Sequence, residues 1–154
     1  MSEIFVIDGH AQNWKQALEM TGNKLYEEGC VVEEFWEKCA EREEEYPTGL
    51  TEFCPVAIPH ASKDYVLKQA ICALKLDEPV LFRSMANWDQ DIEVRYVLNL
   101  ALLDDSEHIK IVSRVIRSLK DPEFLKQMDD CDEAELKALL NDYFLTEKLD
   151  DCTA

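Results

Sequence analysis

The chain has 154 residues, 47% of them hydrophobic, which fits one compact domain around a continuous core. Sixteen Lys and Arg against 33 Asp and Glu leave a net charge of −17, which repels nucleic acid phosphates and anionic lipid headgroups and leaves small or basic partners. Six cysteines, at 30, 39, 54, 72, 131 and 152, form no C-x-x-C pair and read as reduced thiols. With no basic-then-apolar leader after Met1-Ser2-Glu3, and no apolar run near the roughly 20 residues that span a bilayer, the expected place is the cytoplasm, without membrane insertion.

The apolar run Ile4-Phe5-Val6-Ile7, stopped by Asp8-Gly9, predicts a buried strand ending in a turn. Over 11–28 the residues Trp14, Ala17, Leu18 and Leu25 recur at helical spacing, and Gly29 stands where a helix end favours positive φ. Val32, Phe35, Trp36 and Cys39 repeat the pattern in a second helix. The run Glu41-Arg42-Glu43-Glu44-Glu45 extends it toward Pro47 and puts Arg42 near its end. The Trp and Phe positions read as core and the acidic runs as solvated faces.

Residues 47–59 hold three of the five prolines, which predicts a stiff loop broken by the short apolar run Val56-Ala57-Ile58. Residues 69–74, 80–82 and 94–103 read as three strands, the last so apolar from Tyr96 onward that both its faces should be covered. Asp104-Asp105-Ser106 supplies capping oxygens for a helix carrying Ile109, Val112, Ile116 and Leu119, with His108 in its first turn. Asp121-Pro122 opens another helix, and Asp132 with Glu135 forms a capping box for the helix of Leu136, Leu139, Leu140 and Phe144. The acidic stretch 146–154 reads as a frayed tail. Interleaved strands and helices predict an α/β fold, a central mixed β-sheet flanked by helices on both faces, as a single domain over 1–154.

Three histidines, His10, His60 and His108, are available for chemistry. His10 follows a turn and reads as a surface residue. Pro59 fixes its own φ and biases Ile58 to an extended backbone, so the approach to His60 is stiff and its side chain is presented from the end of a buried element. A neutral imidazole offers one ring nitrogen as nucleophile while the other donates the hydrogen bond that sets the tautomer, so it can accept a phosphoryl group. Such a transfer spreads negative charge over the equatorial oxygens and is helped by positioned cations and donors. Arg42 and His108 are the candidates, and a helix first turn around His108 itself favours an anion. The plainer readings are a surface ion pair for Arg42 among its glutamates and a surface position at a helix start for His108.

Arg42-Glu43, Tyr46-Pro47-Thr48-Gly49-Leu50, Val56-Ala57-Ile58-Pro59-His60 and Glu107-His108-Ile109 together resemble the mannitol/fructose/galactitol class of enzyme IIA domains of the phosphoenolpyruvate-dependent phosphotransferase system, in order and rough spacing across nearly the whole chain. The resemblance implies that His60 is the phosphorylated histidine, that Arg42 contacts the active site and that His108 stands beside it. It implies phosphoryl donation by the histidine-containing carrier protein HPr and onward transfer to a cysteine of an enzyme IIB, with no cofactor and no metal. The stretch Leu50-Thr51-Glu52-Phe53-Cys54-Pro55 is longer than in mannitol and fructose members and is similar to the galactitol-type branch.

Three rival readings share these residues. A nitrogen-type regulatory IIA would be phosphorylated at His60 to change partners and not to feed sugar uptake. Cys54 as a nucleophile with His60 as its base is a second, with no oxyanion donor or orienting acid in view. A zinc site among the histidines and cysteines is a third, but no ligand pair has the usual close spacing.

Overall fold

The structure, a computed structural model, describes residues 3–50, 55–103 and 105–145. In chain order the elements are β1 (Glu3–Gly9), α1 (Trp14–Glu27), α2 (Phe35–Glu45), β2 (Val56–Ala57), a 3-10 turn (Lys63–Tyr65), β3 (Ala70–Arg83), β4 (Asp91–Ala101), α3 (Asp105–Leu119), α4 (Pro122–Asp130) and α5 (Glu133–Phe144). The sheet order is β1-β3-β4-β2. β1 runs parallel to β3, β3 antiparallel to β4, and β2 parallel to β4, so the sheet is mixed as expected.

Alternation along the two central strands builds two cores. Ala70, Cys72 and Leu74 of β3 with Val97 and Ala101 of β4 face Leu18, Leu25, Phe35 and Cys39 of α1 and α2. Ile71 and Ala73 with Leu98 and Leu100 face Ile111, Val115, Phe124, Leu136 and Leu140 of α3, α4 and α5. Both faces are therefore covered, which is why β4 is nearly all apolar from Tyr96 on, with Asn99 the exception. Among the described residues no helix is long and apolar enough to cross a membrane.

The helix ends follow their local chemistry. Gly29 has φ +76°, Asp121 accepts from Glu123 N with Pro122 at the first helical position, and Asp132 and Glu135 complete the capping box. One expectation is corrected. The stretches 69–74 and 80–82, read as separate strands, are one bent strand, β3. Lys75 faces Tyr96 while Val80 faces Val94, so three extra residues bulge around Asp77-Glu78-Pro79 without ending the pairing. The side chains of Asp104 and Asp105, residue Cys54 and the stretch 146–154 lie outside the described residues, and with them the cap expected before α3, the loop at 51–54 and the tail.

Candidate functional site

His60 is carried by a segment that follows β4 in parallel beyond the short β2. Tyr96 N donates to Pro55 O (3.0 Å), Leu100 N donates to Pro59 O (2.9 Å), and His60 bridges to Leu100. The imidazole thus stands at the carboxyl end of one strand, beside the point where β4 gives way to α3. Crevices outside the carboxyl ends of strands are where open α/β sheets place ligands. His108, in the first turn of α3, puts its ring centroid 5.3 Å from that of His60, at 69°. From the last turn of α2, Arg42 Nε donates to His60 Nε2 at 3.2 Å. The three predicted residues are therefore brought together, in a cleft of about 470 Å³ also lined by Ser62, Lys63 and Leu102.

Hydrogen bonding fixes the ring's tautomer. His60 Nδ1 lies 3.1 Å from the Ile58 carbonyl oxygen, which can only accept, so Nδ1 carries the proton and Nε2 keeps its lone pair toward Arg42. Burial lowers the His60 pKa to about 4; the positive charge of Arg42 and the neighbouring His108 act in the same direction, and the bond to Ile58 opposes them. At neutral pH the ring is uncharged, with the Nε2 lone pair unprotonated.

Glu43 corrects the reading of the acidic runs as solvated faces. It is 5% exposed. One carboxylate oxygen accepts from Thr48 N and the other from Thr48 Oγ1, both at 2.7 Å. Burial raises its pKa, against these bonds and the charges of Arg83 and Arg42. Thr48 O in turn accepts from Ile58 N (3.2 Å), so the helix turn that sends Arg42 to His60 also anchors the loop that positions His60. The loop lies so close to the end of β3 that a Cβ on Gly49 would stand 2.6 Å from Arg83 O. Arg83 Nη2 donates to the carbonyls of Glu43 and Glu44, satisfying the end of α2. A run of glutamates hides this role because helical phase alone turns Glu43 inward; its place beside Arg42 in the shared motif was the available signal.

The phosphoenolpyruvate-dependent sugar phosphotransferase system EIIA 2 family matches residues 1–143. The chain belongs to that family. It is 26% identical over 147 residues to the PTS system galactitol-specific EIIA component of Escherichia coli K12, covering 94% of this chain and 97% of the relative. It is 30% identical over 122 residues to the mannitol-specific EIICBA component of Vibrio cholerae, covering 77% of this chain but 18% of that longer protein. Among solved structures, the E. coli mannitol IIA superposes with a TM-score of 0.73 at 27% identity, covering 90% of this chain and 95% of that one. A complex of enzyme IIAMTL with phosphorylated enzyme IIBMTL from E. coli gives 0.74 at 25%, covering 91% and 94%. The mixed sheet with helices on both faces is thus the EIIA fold.

In this EIIA chain the remaining titratable candidates stand apart from the cleft. His10 is exposed and pairs with Asp77 at 2.9 Å, a bond that raises its pKa. Cys39 is buried, its Sγ–H reaches Asn99 Oδ1 at 3.8 Å, and burial pushes its thiol pKa up. Asn99 completes this buried polar link by donating to Thr21 Oγ1 at 3.0 Å. Among the described residues no group of three or more His, Cys, Asp or Glu could hold a metal ion.

Proposed function

We propose that this EIIA chain acts in the cytoplasm as a phosphoryl carrier, with Nε2 of His60 as the nucleophile, HPr as donor and a cysteine of an enzyme IIB as acceptor. The observation that carries the reading is the pairing at His60: Nδ1 donating to the Ile58 carbonyl, and Nε2 unprotonated and accepting from Arg42 in an open cleft. The Nε2 lone pair attacks phosphorus on the carrier's phosphohistidine, and the electron pair of the breaking N–P bond returns to the carrier's ring. Arg42 exchanges its bond to Nε2 for bonds to the phosphoryl oxygens, and His108 adds a donor from the first turn of α3. In the second half-reaction a cysteine thiolate attacks the same phosphorus and Nε2 recovers its lone pair.

The galactitol-specific EIIA relative and the longer loop at 50–55 support galactitol or a related polyol as the sugar served. The IIA–IIB complex supports an enzyme IIB as the acceptor. Incubation with phosphoenolpyruvate, enzyme I and HPr, followed by mapping of the modified residue and addition of an enzyme IIB, is the test. Phosphate on His60, its absence in His60→Ala, and its passage to the IIB cysteine are expected. Modification of His10 or His108 in the variant would overturn the assignment.

A further inference from the structure

Two half-exposed aromatic side chains form a line that ends on the site. Arg42 Cζ lies 5.3 Å from the centroid of the Tyr46 ring, and Trp88 meets Tyr46 edge-on at 6.0 Å and 90°. Tyr46 is 52% and Trp88 50% exposed, so neither is needed to fill a core. Tyr46 is also tied to Arg42 through the backbone, since its N–H donates to Arg42 O at 2.7 Å as α2 ends.

The turn that carries Trp88 is itself held. Ser84 Oγ accepts from Ala86 N and Asn87 N at 3.2 Å each, Ser84 N donates to Gln90 O (2.8 Å), and Met85 N donates to Gly49 O (2.7 Å). The turn between β3 and β4 is therefore fixed to the same Thr48-Gly49 loop that Glu43 anchors, and Trp88 has a defined place relative to the end of α2.

Arg42 needs such support. It is a long, rotamer-rich side chain whose own helix offers Glu41 and Glu45 around the adjoining cleft, and turning toward either would take the guanidinium from His60. An aromatic face attracts a guanidinium without competing for its N–H donors, all of which stay available to Nε2 or a phosphoryl group.

We propose that Tyr46, backed by Trp88, is a positioning residue that holds the Arg42 guanidinium toward His60 for phosphoryl transfer. This rests on the reading of His60 as the phosphoryl acceptor. The alternative for the same two rings is a docking surface for the carrier.

The test compares Tyr46→Leu, Tyr46→Phe and Trp88→Leu, alone and with Arg42→Gln, by two measurements. In single-turnover transfer from saturating phospho-HPr, Tyr46→Leu should slow the step about 2- to 5-fold, the range of an exposed cation–aromatic contact, and Tyr46→Phe should restore it. In the Arg42→Gln background Tyr46→Leu should have no further effect. In 1H–15N spectra of the free protein, the Arg42 Nε–H signal should be protected from exchange in the wild type and in Tyr46→Phe, and lose protection in Tyr46→Leu and Trp88→Leu. An unmoved Nε–H signal overturns the proposal. So does an equal loss in both Arg42 backgrounds, or a raised carrier Kd with an unchanged saturated rate, which would make the rings a docking surface. Because the spectra need no carrier, they decide whether Tyr46 holds Arg42 even if the wild-type chain takes up no phosphate, the result that would sink the transfer reading itself.

Discussion

Lowering the pH should expose how firmly the fold holds His60 neutral. With the ring's pKa depressed from 6.5 to about 4, the unfolded chain takes up a proton near pH 6.5 while the native ring stays uncharged to about pH 4. Between those values the unfolded state binds more protons, so the His60 contribution to stability is complete above pH 6.5, falls as pH falls, and is gone below about 4. At 1.36 kcal/mol per pKa unit the integrated loss is about 3 kcal/mol. Carboxylates titrate over the same range, so the measurement is a difference: urea unfolding of wild type and His60→Ala at pH 7.5 and 4. The gap between the two proteins should move by about 3 kcal/mol against the wild type on going to the lower pH. Ring 15N shifts of His60 should show the neutral, Nδ1-protonated form throughout pH 5–8. Arg42→Gln should raise the midpoint only part of the way to 6.5, because burial is the larger cause and Arg42 a smaller one. A ring that titrates at 6.5 or above in the wild type would refute both the burial argument and the assignment of Nε2 as a ready nucleophile.

Arg42→Gln should slow phosphoryl transfer by up to about 10²–10³-fold, with carrier binding little changed, in single-turnover kinetics over a range of carrier concentrations. A normal rate with weakened binding would place the guanidinium in the docking surface. For His108 the expected order of rates is wild type, then Gln, then Ala, with His60 the modified residue in all three; Gln keeps a donor of similar reach and Ala leaves poorly oriented water. A wild-type rate in His108→Ala would return this residue to a surface position at a helix start. Glu43→Ala should cost about 1–3 kcal/mol in urea unfolding, since the buried Thr48 N–H and hydroxyl would both lose their acceptor, and should also slow transfer by loosening the His60 loop. Unchanged stability would show that the two 2.7 Å bonds contribute little beyond what water offers.

The elements legible in the sequence are those whose signal is local. Helix ends carried by Gly29, Asp121-Pro122 and the Asp132–Glu135 box stand where their chemistry puts them. The strand cover on both faces followed from the nearly all apolar stretch of β4 from Tyr96 on. What the sequence obscured depends on partners far away in the chain. The stretches 69–74 and 80–82 read as two strands, yet pairing with β4 resumes past the bulge at Asp77-Glu78-Pro79 because Val80 and Phe82 still have an apolar face to bury. Glu43 looked solvated because its charge pattern is that of its neighbours, and only the fold reveals that its side chain turns toward Thr48. At the site, residue types and the proline-set loop pointed to His60 with Arg42 and His108, whereas the unprotonated nitrogen could be read only from the Ile58 carbonyl.

The adjacency of Arg42 and Glu43 then has a mechanical meaning. Successive residues of a helix point about 100° apart, so one turn of α2 can send a cation into the cleft and a carboxylate into the loop behind it. The guanidinium reaches Nε2, the carboxylate holds Thr48, and Thr48 O receives the N–H of Ile58, whose own carbonyl accepts from Nδ1. Both nitrogens of the His60 ring are thereby tied to a single helical turn. The Arg42 guanidinium and the His60 ring therefore share one anchor, the last turn of α2. Because Arg83 secures the last carbonyls of the same turn from β3, the reference for the whole arrangement is the sheet, and precision at His60 does not depend on the loop alone.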